Sequence, residues 1–264
     1  MESGELEQHG VAVCEQCSCE FRYVSATRNS LVDEWRYWSF YPRMCKECAD
    51  AIREKYEAES RERERVENFK IRMSLYSEYH DVGSRLARAS FAVADMGAHN
   101  TTAFKASMRW LENPESNLII VGGIGTGKSY LAGCLYQALL AGAHPVLWLN
   151  AASYMATVKR GFSDREQAEI ANQKARYAEE APFLVLDDLG KVHPGKDVSY
   201  TEEQFYAIVD ARYRNELPTI VTTEWKSKAL AERVGESVVS RLEDGAVVAG
   251  VKRAAEPYRK PKAA

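Results

Sequence analysis

Residues Gly122, Gly123, Ile124, Gly125, Thr126, Gly127, Lys128 and Ser129 spell the pattern G-x-x-x-x-G-K-[ST]. An apolar run, NLIIV, precedes it and a helical pattern, from Lys128 through Tyr130 to about residue 141, follows it. That context separates a phosphate-binding loop from a chance glycine-rich turn. Glycines let the backbone wrap phosphates with its N–H groups, and the helix N-terminus adds its positive dipole end. Lys128 is placed to reach the β- and γ-phosphates, and the Ser129 hydroxyl to ligate magnesium. The expected ligands are ATP and Mg2+, held by residues 122–130 together with a carboxylate from elsewhere in the chain.

The segment FLVLDDLG, roughly 60 residues further on, supplies that carboxylate. Asp187 ends a hydrophobic strand and suits magnesium, directly or through water. Asp188 follows and suits the task of orienting an attacking water. A second chemistry sits near the N-terminus. Cys14-x-x-Cys17 and Cys45-x-x-Cys48 form two pairs with 27 residues between them, 18–44. Each pair can clamp one side of a tetrahedral ion, and four thiolates suit structural zinc. Cys19 offers an alternative fifth thiol and His9 a more distant ligand. Cys134, on the helix after the phosphate loop, reads as a core residue.

The elements that must position these groups fall into three segments. Residues 1–48 form a small Cys-bearing and aromatic module, for which a metal is a sensible staple. Residues 49–85 read as a charged helical connector: Glu57 with Arg61 and Glu59 with Arg63 sit at i,i+4 spacing, and HDVGS breaks the helix at 81–84. Residues 86–264 alternate short apolar strands (NLIIVGG, PVLWLN from Val146, FLVLDDLG, TIVTTE) with helices, the pattern of an α/β fold with a parallel sheet. Net charge is −3, so any nucleic-acid surface must be a local patch. No run approaches 18 apolar residues and the N-terminus has no signal-peptide pattern, which points to a cytoplasmic protein with no membrane association.

From about residue 88 to 260 the chain resembles the DnaC/IstB-like group of AAA+ ATPases, which includes bacterial helicase loaders and transposition helper ATPases. The resemblance rests on an ordered set: RASF at 88–91, GGIGTGKSYLA, FLVLDDLG, TIVTTEW at 219–225, SVVSRLEDG at 237–245 and PYR at 257–259. It implies an AAA+ P-loop domain behind a zinc module and a long helix. It also implies that Arg241 is an arginine finger completing a neighbour's ATP site in an ATP-dependent homo-oligomer; an ordinary surface ion pair is the alternative. The family more often carries Asn where Glu224 stands, so the polar contact to γ-phosphate or water falls on Thr222 or Thr223, and Thr223 enters the catalytic set with Lys128, Asp187, Asp188 and Arg241. Many AAA+ enzymes use Glu where Asp188 stands, and the shorter side chain implies slow turnover. Arg259 is either a second sensor or part of a solvated basic tail.

In the loader branch the stretch NAASYMATVKRGFSD at 150–164 faces single-stranded DNA, which would give Tyr154 a stacking role and Lys159 and Arg160 phosphate contacts. An amphipathic helix with surface charges is the alternative. The Cys module resembles that of DnaI-type loaders, where it docks on the replicative helicase. The resemblance therefore implies an ATPase that loads a hexameric replicative DNA helicase onto single-stranded DNA. A transposition helper that binds DNA and recruits a transposase is the second reading, and an ATP-binding regulatory module without useful hydrolysis the third.

Overall fold

Strands whose residues are apolar without alternation must be covered on both faces, and four of the five strands of the main sheet in this protein are. The structure is a computed structural model and describes residues 8–25, 44–92, 101–191 and 198–252. It divides into two compact units, residues 1–66 and 67–264.

In the first unit, β1 (Gln8–Val13) and β2 (Glu20–Ser25) pair antiparallel as a hairpin. Its tip is Cys14–Cys19, closed by Cys14 N–H to Cys19 O at 2.8 Å and Ser18 N–H to Cys14 O at 2.8 Å. The hairpin was not expected from the sequence. Helix α1 (Lys46–Tyr76) begins just after Cys45. The aromatic run at 35–41 lies outside the described residues, as does the side chain of His9.

The second unit holds a five-stranded parallel sheet in the order β4-β5-β6-β3-β7. Its strands are β3 (Leu118–Gly122), β4 (Val146–Asn150), β5 (Phe183–Leu189), β6 (Thr219–Thr223) and β7 (Val247–Val251). Four of them stand where the apolar runs predict; β7 was not read from the sequence. Alternate residues feed two cores. Leu118, Ile120, Trp148, Val185 and Ile220 face α2 (Thr101–Glu112) and α3 (Lys128–Ala141). Ile119, Leu149, Leu186 and Val221 face the other layer. That layer comprises α4 (Ala151–Arg160), α5 (Arg165–Glu180), α6 (Val198–Arg214), α7 (Ser227–Val234) and α8 (Glu236–Glu243).

The unit boundary falls inside α1, whereas the expected connector runs to residue 85. The physical reason is a short apolar row in the last turns of the helix. Met73 and Tyr76 pack into the second core, and the Tyr76 ring meets Tyr177 edge-on at 5.4 Å. The chain then runs along the outer edge of β4. Asp81 N–H donates to Trp148 O at 3.1 Å, and Trp148 N–H donates to His80 Nδ1 at 3.1 Å. Asn150 N–H donates to Asp81 Oδ2 at 3.3 Å. Asp81 also pairs with Lys174 at 2.9 Å in a largely buried site. This strap satisfies edge groups that would otherwise be open to another strand. Among the described residues no helix is long and apolar enough to cross a membrane.

Candidate nucleotide site and thiol cluster

A parallel sheet presents its strand ends, and the loops that follow them, on one side. Here β3, β5 and β6 deliver the expected groups together. A cleft of about 280 Å³ is lined by Ile124, Gly125, Gly127, Lys128, Ser129, Tyr130, Asp187 and Asp188. Arg85, Leu86 and Lys191 line it too, and sequence reasoning missed all three. The loop turns through Gly125 and Gly127 at φ 75° and 95°, conformations that cost other residues dearly. Arg85 and Leu86 come close because α3 has a glycine beneath them: a Cβ on Gly133 would stand 3.0 Å from Ala89 Cβ and 3.2 Å from Leu86 O.

Lys128 is 6% exposed and donates to the Gly123 carbonyl at 2.9 Å. Burial lowers its proton affinity, Asp188 raises it and Lys191 lowers it further. Asp187 is 5% exposed. Burial pushes its carboxyl above the usual range, while hydrogen bonds from Thr222, Ser129 and Asn150 act against that shift. Thr222 Oγ1 donates to Asp187 Oδ1 at 2.6 Å and accepts the Asp188 N–H at 2.9 Å. Thr222 thus ties the end of β6 to both aspartates. Thr223 is engaged elsewhere: its hydroxyl donates to Leu189 O at 2.8 Å and accepts the Trp225 N–H at 3.2 Å.

Asp188 adopts φ 59°, and the β5–β6 register shifts between Leu186 and Leu189. This bulge lets two consecutive aspartates line the same cleft. The oxygens of half-buried Ser129 and buried Asp187 are a hard donor set that fits magnesium, which would neutralise charge on the phosphates.

The remaining expected residues divide. Lys159 and Arg160 are exposed at the end of α4. Tyr154 is not available to stack on a base: it is 1% exposed, packs 5.9 Å from the Phe205 ring and donates to Gln204 Oε1 at 3.3 Å. The apolar stripe of α4 turns it inward. Phe162, two residues beyond Arg160, is 73% exposed instead. Arg241 is held within its own chain by Asp210 at 2.8 Å, the Tyr206 hydroxyl at 2.9 Å and the Ser237 carbonyl at 3.1 Å. Arg259 lies outside the described residues. Cys134 is buried, and burial pushes its thiol up to about 12.

In the first unit Cys14, Cys17, Cys45 and Cys48 have their sulfurs within 4.8 Å of one another. Four thiolates bound to zinc at about 2.3 Å would lie roughly 3.8 Å apart, so the cluster fits that ion. Cys17 and Cys45 already stand at 3.8 Å. Burial raises the Cys14 thiol, but the N–H groups of Cys45, Cys17 and Gln16 outweigh it and bring it down to about 6. Cys19 stands outside the four, with its sulfur 3.0 Å from that of Cys17.

Comparison with known proteins follows the same lines. Residues 31–261 match the family described as IstB-like ATP binding protein. The replicative helicase loader DnaC of Escherichia coli K12 is 27% identical over 146 residues, 54% of this chain and 58% of that protein, so the match spans somewhat over half of it. Among solved structures, a DnaC helicase loader superimposes with TM-score 0.54 at 22% identity, covering 64% of this chain and 100% of that one. DnaI superimposes with TM-score 0.54 at 20% identity, covering 68% and 95%.

Proposed function

The chain belongs to the IstB-like ATP-binding family of DnaC/IstB-like AAA+ proteins, and from that premise we propose that it hydrolyses ATP to load a hexameric replicative DNA helicase onto single-stranded DNA. The observation that carries this reading is the four-thiol cluster sharing one chain with the phosphate-loop cleft. A small metal-stapled module adds no ATP chemistry of its own, so a docking role suits it.

In this reading Lys128 and the loop N–H groups hold the triphosphate, and Ser129 and Asp187 hold magnesium. Asp188 orients the attacking water, and Thr222 fixes both aspartates. Arg241 reaches a neighbouring subunit's site in an ATP-dependent oligomer, exchanging its Asp210 partner for a phosphate. Phe162 takes the stacking role expected of Tyr154, flanked by Lys159 and Arg160 for the DNA backbone. Zinc, held by Cys14, Cys17, Cys45 and Cys48, supplies the cross-link that a module of this size needs in place of a large core.

The test is capture of partners on immobilised full-length protein from a lysate of its source cells, with and without ATP and magnesium. A hexameric replicative helicase, lost on Cys14→Ser with Cys17→Ser, is the expected result. Recovery of a transposase would favour the helper-ATPase reading. Capture of neither would sink the loader reading.

A further inference from the structure

The phosphate cleft holds a cation that the motif does not account for. Lys191 follows the Asp187–Asp188 pair in a tight turn, closed by Lys191 N–H donating to Asp188 O at 3.2 Å. Its Nζ donates to Asp188 Oδ2 at 2.7 Å. The turn is what aims it there: Gly190, the third residue of the turn from Asp188 to Lys191, sits in the left-handed region at φ 88°, which brings residue 191 back beside residue 188. Lys191 lines the same cleft as Lys128, and the proton affinity of Lys128 is lowered by the charge of Lys191. Two lysines therefore face one cavity, and one of them neutralises the carboxylate that the hydrolytic reading needs free.

The side chains of Lys191 and Asp188 are 39% and 22% exposed. A pair so hydrated is weak. A triphosphate entering the cleft would bring more negative charge than the single carboxylate offers, so it can compete for the ammonium group.

We propose that Lys191 is a phosphate-responsive latch, which pairs with Asp188 in the empty site and transfers to the γ-phosphate of a bound nucleoside triphosphate. The proposal rests on reading the cleft as the ATP site. It makes Lys191 a discriminator between triphosphate and diphosphate, and it makes liberation of Asp188 a consequence of binding the correct nucleotide. Linkage then requires competition: whatever weakens the hold of Asp188 on Lys191 must strengthen triphosphate binding.

Calorimetric titration of the full-length protein with AMPPCP and with ADP, both with magnesium, tests it. Lys191→Met should weaken AMPPCP about tenfold, the scale of one hydrogen bond to a charged partner, and ADP less than about twofold. Lys191→Arg should restore the preference. Asp188→Asn should tighten AMPPCP severalfold, and that gain should vanish when Lys191→Met is added. Equal weakening of both nucleotides, no weakening, or a gain from Asp188→Asn that survives Lys191→Met would overturn the latch while leaving the ATP site standing. Failure of the unmodified protein to bind either nucleotide would overturn both.

Discussion

Neighbouring side chains on a strand point to opposite faces, so an Asp-Asp pair ordinarily delivers only one carboxylate to a site. Asp187 and Asp188 escape that rule through the bulge at the end of β5, and Thr222 holds the bulge by bonding to both. Their environments differ: Asp187 is buried and suits a metal, while Asp188 is partly exposed beside Lys191. Asp188→Asn is expected to reduce ATP turnover about 100-fold or more while ATP binding persists, as loss of a general base does. Steady-state phosphate release paired with nucleotide titration checks this; undiminished turnover would remove Asp188 from the chemistry. Lys128→Ala should raise the ATP dissociation constant about tenfold or more, since its charge-assisted bonds to the phosphates have no replacement.

Two elements are fastened by polar groups that the apolar pattern does not reveal. Arg212 is 1% exposed and sits near the end of α6. Its guanidinium donates to the carbonyls of Ala178, Ala181 and Pro218 and to Thr219 Oγ1, at 2.6–2.8 Å. It thereby stitches α6 to the end of α5 and the start of β6. Burial disfavours its charge, and these acceptors offset that cost. Arg212→Met would leave buried carbonyls unpaired and should cost about 3 kcal/mol, a fall of roughly 6–12 °C in melting temperature for a domain of this size.

The strap on β4 carries a pH dependence. Burial lowers His80 to about 4, with Asp81 opposing, and Nδ1 accepts the Trp148 N–H. A base whose folded pKa lies below its unfolded value must bind a proton on unfolding, so stability falls as pH drops from about 6.5 toward about 4. Melting curves at pH 7 and pH 5 should show a smaller acid loss in His80→Gln than in the unmodified protein. Equal losses would mean His80 is not the titrating group.

At the scale of the whole molecule, the two units separate the chemistry of thiols from that of phosphates. The cluster of four sulfurs lies within residues 1–66, and the cleft within 67–264. Replacing Cys45 and Cys48 by Ser should abolish bound zinc, measured by elemental analysis, and leave the ATP dissociation constant within about twofold, because each site is built within its own unit and the two share no residues. A large loss of ATP affinity would show that the two units fold as one.

Local chemistry made much of this protein legible in the sequence. The phosphate loop, both aspartates and the four cysteines are short motifs that the structure gathers as their spacing predicts, because backbone geometry ties neighbouring residues together. Four of the five parallel strands were visible for a related reason: a strand covered on both faces must be apolar throughout. The strand β7 was missed because it carries Gly250 and exposes Val248, so it does not read as a covered run. Tertiary structure alone decided the rest. Tyr154 and Phe162 are both aromatic and eight residues apart, and only the packing of α4 determines which of them meets solvent. Lys191 carries no motif in the sequence, and only the turn through Gly190 carries it into the cleft. The last turns of α1 look like connector, yet they pack as core, because burial depends on what the fold places opposite a residue.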